Sequence, residues 1–251
     1  MCYDILNSEA AVSGIRRNTM EKTLGVIGGM GPMASQLFYR MIIEHTKAEK
    51  DQDHIRMIIL SDSKMPDRTG AILKKETDEV AEQLLRDALF LQNADCDYIC
   101  VTCNTAHYFV DMISPEVVTP FIHMIKETAK EMSERFPGGK IGIMATTGTI
   151  LTEIYQNTLK EHGLDPYVPG STVQELVMHE IYECIKAGKP YDSAAWDLIT
   201  DDFRQAGCSN VILACTELSV IKSDENLGDW FTDPMLIMAR RAIEACGKEY
   251  I

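Results

Sequence analysis

The sequence predicts an α/β protein built from two pseudo-symmetric, Rossmann-like domains, each a parallel-rich sheet flanked by helices. Two observations predict this fold class. Short β-rich segments alternate with longer helical segments along most of the 251 residues, which is typical of βαβ units and parallel sheets. Several segments also recur at a nearly constant spacing, which indicates that one α/β unit has been duplicated.

The alternation predicts five strands and six helices. Short apolar and β-branched runs place the strands at 24–28, 55–60, 98–102, 141–145 and 211–214. Longer patterns with helical periodicity place the helices at 33–48, 77–93, 149–161, 173–187, 194–206 and 235–245. Parallel strands joined by such helices need right-handed crossovers. Because the strands run parallel, their carboxyl ends lie along the same edge of the sheet.

Two pairs of matching segments indicate the duplication. The segment LGVIGGMG begins at Leu24 and the segment IGIMATTG begins at Ile141, an offset of 141 − 24 = 117 residues. Cys103 and Cys215 each follow a later strand, at an offset of 215 − 103 = 112 residues. Ligands of open α/β sheets bind beyond the carboxyl ends of the strands. Cys103 and Cys215 are therefore predicted to face one cleft between the two halves.

The remaining cysteine patterns are assigned no chemistry. Cys96 and Cys208 repeat the offset of 208 − 96 = 112 residues, but they precede the strands, so we expect buried, small hydrophobic side chains. Cys100 and Cys103 form a CxxC pattern. Residues three apart on a strand point to opposite faces, however, and no second pair completes a zinc site. No metal is predicted.

Composition and charge limit the possible partners. The formal net charge of −14 argues against binding to nucleic acid or to an anionic membrane. No apolar run approaches the roughly 18 residues of a membrane span. Residues 1–20 lack the features of a secretion signal and are interpreted as a leader, disordered or loosely attached. Eight cysteines without such a signal indicate free thiols in a reducing cytoplasm.

The residues after Cys103 and Cys215 favour helix starts. Asn104 and Thr105 follow the first cysteine, and Thr216 follows the second. A thiol at a helix start meets the positive end of the helix dipole and free backbone N–H groups, which lower its pKa and favour the thiolate. Two thiols across a small substrate can invert a stereocentre, because one removes a proton from carbon and the other returns a proton from the opposite face.

Two cations are candidates for anchoring an acidic substrate. Arg68 lies in the Pro-containing loop MPDRT, where a guanidinium could pair with a carboxylate at two points. Lys186 lies near a helix end, in the segment IKAG. The alternatives are a solvated loop cation for Arg68 and a charge that favours a helix C-terminus for Lys186.

Three other functions remain open from pattern alone. Gly29, Gly31 and Ala34 fit the dinucleotide-binding pattern of an oxidoreductase, although the acidic residue Asp62 lies 62 − 29 = 33 residues on, where about 20 are expected. A cysteine nucleophile with His107 as its base is the second alternative. A non-enzymatic binder of an acidic ligand is the third. The dinucleotide pattern leaves the paired cysteines unexplained.

The order of the motifs resembles that of the cofactor-independent aspartate/glutamate racemase superfamily, and of its aspartate racemases in particular. The resemblance covers residues 22–247. The matching motifs are GVIGGMGP (25–32), MPDRT (65–69), CNTAH (103–107), TTGT (146–149), IKAG (185–188) and CTEL (215–218). GGMGP and DRT are more similar to aspartate racemases than to glutamate racemases, while some relatives accept glutamate or several amino acids.

The resemblance implies a pyridoxal-independent racemase that acts on a small acidic amino acid and needs no cofactor. It implies that Cys103 and Cys215 are the acid/base pair and that Arg68 and Lys186 bind substrate carboxylate. The other substrate-site residues that it implies are Met30, Asn104, Thr105, Ala106, Thr147 and Thr216, with Glu217 as a further neighbour.

The resemblance also implies how the chain is divided and assembled. The C-terminal helix is expected to return to the first domain, which then comprises 21–120 and 229–251. The second domain is expected at 121–228, with the active site between the two. Members of the family are commonly dimeric, so a homodimer is predicted.

Overall fold

Two parallel sheets form the frame of the protein, whose computed structural model describes residues 21–251. The strands are β1 (Thr23–Gly28), β2 (Arg56–Ser61), β3 (Tyr98–Val101), β4 (Lys140–Ala145), β5 (Asp165–Tyr167), β6 (Asn210–Ala214) and β7 (Phe231–Thr232). The first sheet has the order β2–β1–β3 and the second has the order β5–β4–β6–β7. All neighbouring strands run parallel. The predicted leader, 1–20, lies outside the described residues.

Helices connect the strands and cover both faces of each sheet. They are α1 (Pro32–His45), α2 (Arg68–Lys74), α3 (Asp78–Asn93), α4 (His107–Ile113), α5 (Met124–Arg135), α6 (Thr147–Leu151), α7 (Ile154–Glu161), α8 (Ser171–His179), α9 (Ser193–Gln205), α10 (Thr216–Glu225) and α11 (Pro234–Ala245). A π-helical segment, Glu180–Ile185, continues α8. No helix among residues 21–251 is long and apolar enough to cross a membrane.

The predicted α/β class is confirmed, and each of the five predicted strands lies within one residue of an observed strand at both ends. The two strands that prediction missed, β5 and β7, are only three and two residues long. Segments this short carry too few residues for a periodic signal. Helices α2, α4, α5 and α10 lie outside the six predicted helices, although helix starts are expected after Cys103 and Cys215.

One predicted helix, 149–161, is broken into α6 and α7. The break occurs because Glu153 adopts a left-handed conformation, with φ of 53°. The hydroxyl of Thr152 turns back to donate to the carbonyl of Thr149 at 2.9 Å. Hydroxyl side chains of this kind compete with the helical backbone, so a helical pattern with threonines is a weak predictor of an unbroken helix.

The two halves repeat the same strand order around a central strand. In the first half β1 lies between β2 and β3, and in the second half β4 lies between β5 and β6. Beyond β6 lies β7, which begins at Phe231. Beyond β3, Phe121 forms a parallel bridge with Ile99 at the matching place. The offset of 231 − 121 = 110 residues extends the duplication to a fourth strand position.

The helix that follows each fourth strand position packs on the sheet of the other half. Ile125 of α5 lies in one hydrophobic cluster with Ile143 of the second sheet. Met238 of α11 lies in one cluster with Val26 of the first sheet. The two helices also pack against each other. The C-terminal helix therefore contacts the first sheet, while the predicted domain boundaries remain a prediction.

The central strands are apolar after their first residue because helices cover both of their faces. In β6, Leu213 packs into the cluster on one face and Ile212 into the cluster on the other. Every residue of β1 and β6 is buried. Burying such aliphatic side chains contributes roughly 1.5–3 kcal/mol each, so these strands are a rigid support for the loops at their ends.

Candidate active site

A small cleft lies between the two halves, beyond the carboxyl ends of β1, β3, β4 and β6. The space between its walls, including the part that is open to solvent, is about 260 Å³. The residues that line it are Met30, Asp67, Arg68, Thr69, Cys103, Asn104, Thr105, Thr146, Tyr182, Lys186, Cys215, Thr216 and Glu217. Both cysteines at the ends of the matched strands therefore reach one cleft, and they reach it from opposite halves of the chain.

Cys103 follows β3 in a turn and is 7% exposed. The expected helix start directly after it is wrong, because α4 begins only at His107. The side chains that would cap such a helix are used elsewhere. Asn104 accepts a hydrogen bond from Tyr155, and Thr105 bonds hydroxyls of the second half. The dipole of α4 therefore does not begin at the Cys103 thiol.

Arg68 is the cation that lies against Cys103. Its guanidinium donates to three backbone carbonyls, those of Pro66 at 2.8 Å and of Met65 and Met30 at 3.3 Å. Burial would lower the pKa of Arg68, but charge interaction and hydrogen bonding with Cys103 outweigh it, so the pKa is raised. The alternative of a solvated loop cation is wrong, because Arg68 is only 8% exposed.

Cys215 is the N-cap of α10, as predicted, and is 6% exposed. Its thiol donates to Oε2 of Glu217 at a distance of 2.9 Å between sulfur and oxygen. Burial, followed by the charge of Glu217, raises the pKa of Cys215 well above its usual value. The expectation of a depressed pKa is therefore wrong for this thiol, because desolvation and a neighbouring carboxylate outweigh the helix dipole.

Lys186 reaches the same carboxylate from the end of the π segment. Its Nζ lies 2.7 Å from Oε1 of Glu217, and its side chain is 24% exposed. Burial lowers the pKa of Lys186, but the negative charge of Glu217, followed by the interaction with Cys215, outweighs it and raises the pKa. The lysine is therefore a stable cation inside the cleft rather than a charge that caps a helix end.

A cluster of hydroxyl groups joins the two halves at the floor of the cleft. The hydroxyl of Thr105 lies 3.0 Å from that of Thr146 and 2.8 Å from that of Thr149. The hydroxyl of Thr216 donates to the carbonyl of Thr102 at 3.5 Å. These bonds hold the turn after β3 against the turns after β4 and β6, which sets the relative position of the two thiols.

The predicted substrate-site residues mostly meet in the cleft, with two exceptions. Met30, Asn104, Thr105 and Thr216 line it together with the two cysteines and the two cations. Ala106 is fully buried and is not among the lining residues. Thr147 lies outside the lining, where its hydroxyl accepts a hydrogen bond from Gln174 at 3.5 Å, and its neighbour Thr146 lines the cleft instead.

Four lining residues were not predicted: Asp67, Thr69, Thr146 and Tyr182. Asp67 and Thr69 flank Arg68 in the motif MPDRT, so the motif that predicted Arg68 could also have predicted them. Tyr182 precedes Lys186 by four residues, and side chains four apart on a helix share a face. The hydroxyl of Tyr182 donates to Oδ1 of Asp67 at 3.2 Å, which ties the two halves across the rim of the cleft.

His107 does not contact the cleft as a base for Cys103. Its Nδ1 hydrogen-bonds the carbonyl of Cys103 at 2.8 Å, and its Nε2 accepts from the backbone N–H of Met124 at 3.2 Å. Burial and the neighbouring ring of His123 lower the pKa of His107 to about 3. A neutral ring with both nitrogens bonded to backbone is a structural group, which disfavours the nucleophile-and-base alternative.

The glycine-rich turn after β1 also disfavours dinucleotide binding. Gly29 needs to be glycine because its φ is 89° and an added Cβ would lie 2.4 Å from the backbone of Asp62. At Gly31 an added Cβ would lie 3.0 Å from Oε1 of Glu217. The turn therefore faces a carboxylate, and a carboxylate repels a pyrophosphate.

The other cysteines among residues 21–251 do not reach the cleft. Cys96 and Cys208 are buried in hydrophobic clusters, as predicted. Cys100 packs on the face of the first sheet opposite to Cys103. Within residues 21–251, no group of three or more His, Cys, Asp or Glu side chains is placed to hold a metal ion.

The fold and the site define a class: a duplicated α/β protein whose halves each present one thiol to a shared, charged cleft. Residues 27–242 match the Asp/Glu/Hydantoin racemase family. The chain therefore belongs to this family, and it is an amino-acid racemase.

Similar proteins come from several organisms. An aspartate racemase from Picrophilus torridus is 28% identical, with a TM-score of 0.76 over 92% of this chain and 96% of that one. The broad specificity amino-acid racemase RacX of Bacillus subtilis is 27% identical over 79% of this chain and 86% of its own length. A glutamate racemase from Bacillus anthracis, 16% identical, shares the fold with a TM-score of 0.66 over 91% of this chain and 82% of that one.

Proposed function

We propose that this protein interconverts L- and D-aspartate without pyridoxal phosphate, with Cys103 and Cys215 as the acid/base pair. The observation that carries the proposal is that both thiols line one narrow cleft and enter it from matching positions of the two halves. A substrate between them presents one face of its α-carbon to each sulfur.

The chemistry requires one thiolate and one thiol at the start of each turnover. The thiolate takes the proton from Cα, and the electron pair of the broken C–H bond moves into the α-carboxylate. The thiol then gives its proton to the opposite face of Cα and becomes the thiolate. The roles are exchanged at the end, so the reverse reaction starts from the state that the forward reaction leaves.

The polar groups of the cleft suit an acidic amino acid. Arg68 is a buried guanidinium beside Cys103, and Nδ2 of Asn104 is a buried donor without a partner among residues 21–251. We propose that they bind the two carboxylates. Lys186 contributes positive charge, although Glu217 neutralises much of it. The net charge of −14 makes such local cations necessary for an anionic substrate.

A broader substrate range is the second candidate. An outer pocket, with about 700 Å³ of space that includes open solvent, adjoins the cleft and shares Met30, Arg68, Lys186 and Glu217 with it. Its remaining wall is largely apolar and includes Met33, Pro32, Met65, Ile185 and Val220. Flexible methionine side chains adapt to different shapes, and RacX, a similar protein, is a broad-specificity racemase. Larger side chains could extend into this pocket.

The test uses the reduced protein in D2O with no pyridoxal phosphate. We expect each enantiomer of aspartate to lose optical purity and to gain deuterium at Cα. Glutamate, alanine, methionine and lysine, tested in the same way, separate an aspartate racemase from a broad one. Absence of racemisation of every acidic amino acid, with both thiols reduced, would contradict the proposal. A homodimer and a cytoplasmic location remain predictions from the sequence.

A further inference from the structure

Three side chains form a continuous chain on one side of the cleft. The thiol of Cys215 donates to Oε2 of Glu217 at 2.9 Å, and Oε1 of the same carboxylate lies 2.7 Å from Nζ of Lys186. Glu217 is 4% exposed, and Thr216, which separates Cys215 from Glu217 in the sequence, is 1% exposed. Both oxygens of a buried carboxylate are therefore engaged, one by a thiol proton and one by an ammonium.

The two thiols differ in the charge that lies nearest to each. Cys103 has the guanidinium of Arg68 against it, while Cys215 has the carboxylate of Glu217. A cation next to a sulfur stabilises a negative charge on it, and a carboxylate accepting a hydrogen bond stabilises the neutral thiol. The cleft is thus electrically asymmetric although the two halves have the same strand order.

The duplication makes this asymmetry visible in the sequence. At the offset of 112 residues, the position that matches Glu217 is 217 − 112 = 105, which is Thr105. The hydroxyl of Thr105 bonds Thr146 and Thr149 rather than a cysteine. The first half therefore carries a neutral hydroxyl where the second half carries a carboxylate that contacts its cysteine.

We propose that Glu217 is a positioning residue that holds Cys215 as a neutral thiol in the resting enzyme, so that Cys215 starts as the proton donor and Cys103 as the base. The assignment of a first base rests on the proposed racemase function. The protonation of Cys215 in the free protein does not rest on that function, because it follows from the burial of Cys215 and from its contact with Glu217.

Other charged and titratable groups face Cys215 from the elements around it. Lys186 and Tyr182 approach from the π segment, and Cys103 and Arg68 approach from the first half. Asp67 lies at the rim, and Tyr155 approaches from α7. Among these, Lys186 opposes Glu217 because its positive charge favours a thiolate at Cys215. Removing Glu217 and removing Lys186 should therefore shift the titration of Cys215 in opposite directions.

The test measures how the alkylation of each cysteine by iodoacetamide depends on pH in the protein without amino acid, with mass spectrometry to resolve the sites. Only the thiolate reacts, so the midpoint of the curve reports the thiol's titration. In the wild type we expect Cys215 to react only under alkaline conditions. Glu217→Gln should lower the midpoint of Cys215 by about one pH unit or more, which is about a tenfold faster reaction at neutral pH.

Two further variants complete the design. Glu225→Gln is the matched control, since it makes the same change at an exposed position of the same helix, and it should leave the midpoint unchanged. Lys186→Gln should raise the midpoint. A Cys215 midpoint that is unchanged or raised in Glu217→Gln overturns the proposal. If that variant does not fold, Lys186→Gln decides, and a midpoint that is lowered or unchanged there also overturns it.

The alkylation experiment contains no amino acid, so its outcome is independent of racemisation. If no racemisation is found in D2O but the Cys215 midpoint shifts as expected in the variants, the racemase proposal is contradicted and the role of Glu217 stands. If the protein racemises aspartate but the Cys215 midpoint does not respond to Glu217→Gln, the proposed function stands and the proposed role of Glu217 is overturned.

Discussion

The hydroxyl of Tyr155 donates to Oδ1 of Asn104 at 2.6 Å, across the boundary between the two halves. Both side chains are buried. Because the amide oxygen of Asn104 is bonded to Tyr155, the amide nitrogen is the atom left without a partner among residues 21–251. A tyrosine in α7 thus orients an amide donor next to Cys103, where a substrate carboxylate can accept from it.

Replacing Tyr155 with Phe should weaken substrate binding. Without the hydroxyl the amide can rotate and lose its orientation, which removes roughly 1 kcal/mol of binding and raises KM for aspartate about 5- to 10-fold. Steady-state kinetics checks this, with Tyr167→Phe as the control, because Tyr167 bonds Asp202 away from the cleft. An unchanged KM in Tyr155→Phe would show that Asn104 needs no support from α7.

Single replacements of the two cysteines should have unequal effects on proton exchange. Each of Cys103→Ser and Cys215→Ser should reduce racemisation at least about 10³-fold, because a serine hydroxyl is a far weaker acid than a thiol and is not ionised near neutral pH. Cys215→Ser should still exchange the Cα proton that faces Cys103, for one enantiomer only. Cys103→Ser should exchange neither enantiomer at neutral pH.

Deuterium incorporation into each enantiomer, followed by NMR, checks this prediction. Cys208→Ser is the control, since Cys208 is a buried thiol outside the cleft, and its turnover per folded molecule should be retained. Full turnover in either cleft variant would contradict the two-thiol mechanism. Equal exchange in both cleft variants would contradict the order of roles assigned to the two sulfurs.

Arg68→Lys should reduce kcat/KM for aspartate by roughly 10- to 100-fold, the value of a charge-assisted hydrogen bond. The guanidinium bonds three backbone carbonyls and Cys103 at once, and an ammonium on a flexible stem cannot replace that geometry. We assign the side-chain carboxylate of aspartate to Arg68, so the loss should be smaller for alanine, which has no side-chain carboxylate. Arg56→Lys, at an exposed strand position, is the control. An equal loss for both amino acids would assign Arg68 a role other than side-chain recognition.

Asp87→Asn should stabilise the protein under alkaline conditions. Asp87 is 6% exposed and its Oδ2 has no partner among residues 21–251. Burial and the charge of Asp62 raise its pKa to about 6. A folded-state pKa above the unfolded value means that stability is lost as pH rises from about 4 to 6 and that the loss is complete above this range.

The amide removes the buried charge without changing the shape of the side chain. We expect the free energy of unfolding to rise by roughly 1–3 kcal/mol at about pH 8 and by about half as much at about pH 5. Urea denaturation at both pH values checks this. Glu82→Gln on the same helix is exposed and should give no pH-dependent gain. A gain in Asp87→Asn that is equal at both pH values would contradict a buried, titrating carboxylate.

Local patterns were sufficient for much of the fold. The strands at 24–28 and 141–145 were predictable because buried parallel strands are short, continuous apolar runs between turn residues. The helix 149–161 was predicted without its break, because the left-handed conformation of Glu153 leaves no periodic signature. The packing of α5 on the second sheet and of α11 on the first depends on contacts far apart in sequence.

By itself, the sequence determined the α/β class, the duplication and the pairing of Cys103 with Cys215, because each is written as periodicity or as a repeated spacing along the chain. Only the tertiary structure decided the charge around each thiol. The dipole of α10 predicts a reactive Cys215, yet burial and the carboxylate of Glu217 prevail. Desolvation and contact distances depend on which residues fold together, and a linear pattern does not carry them.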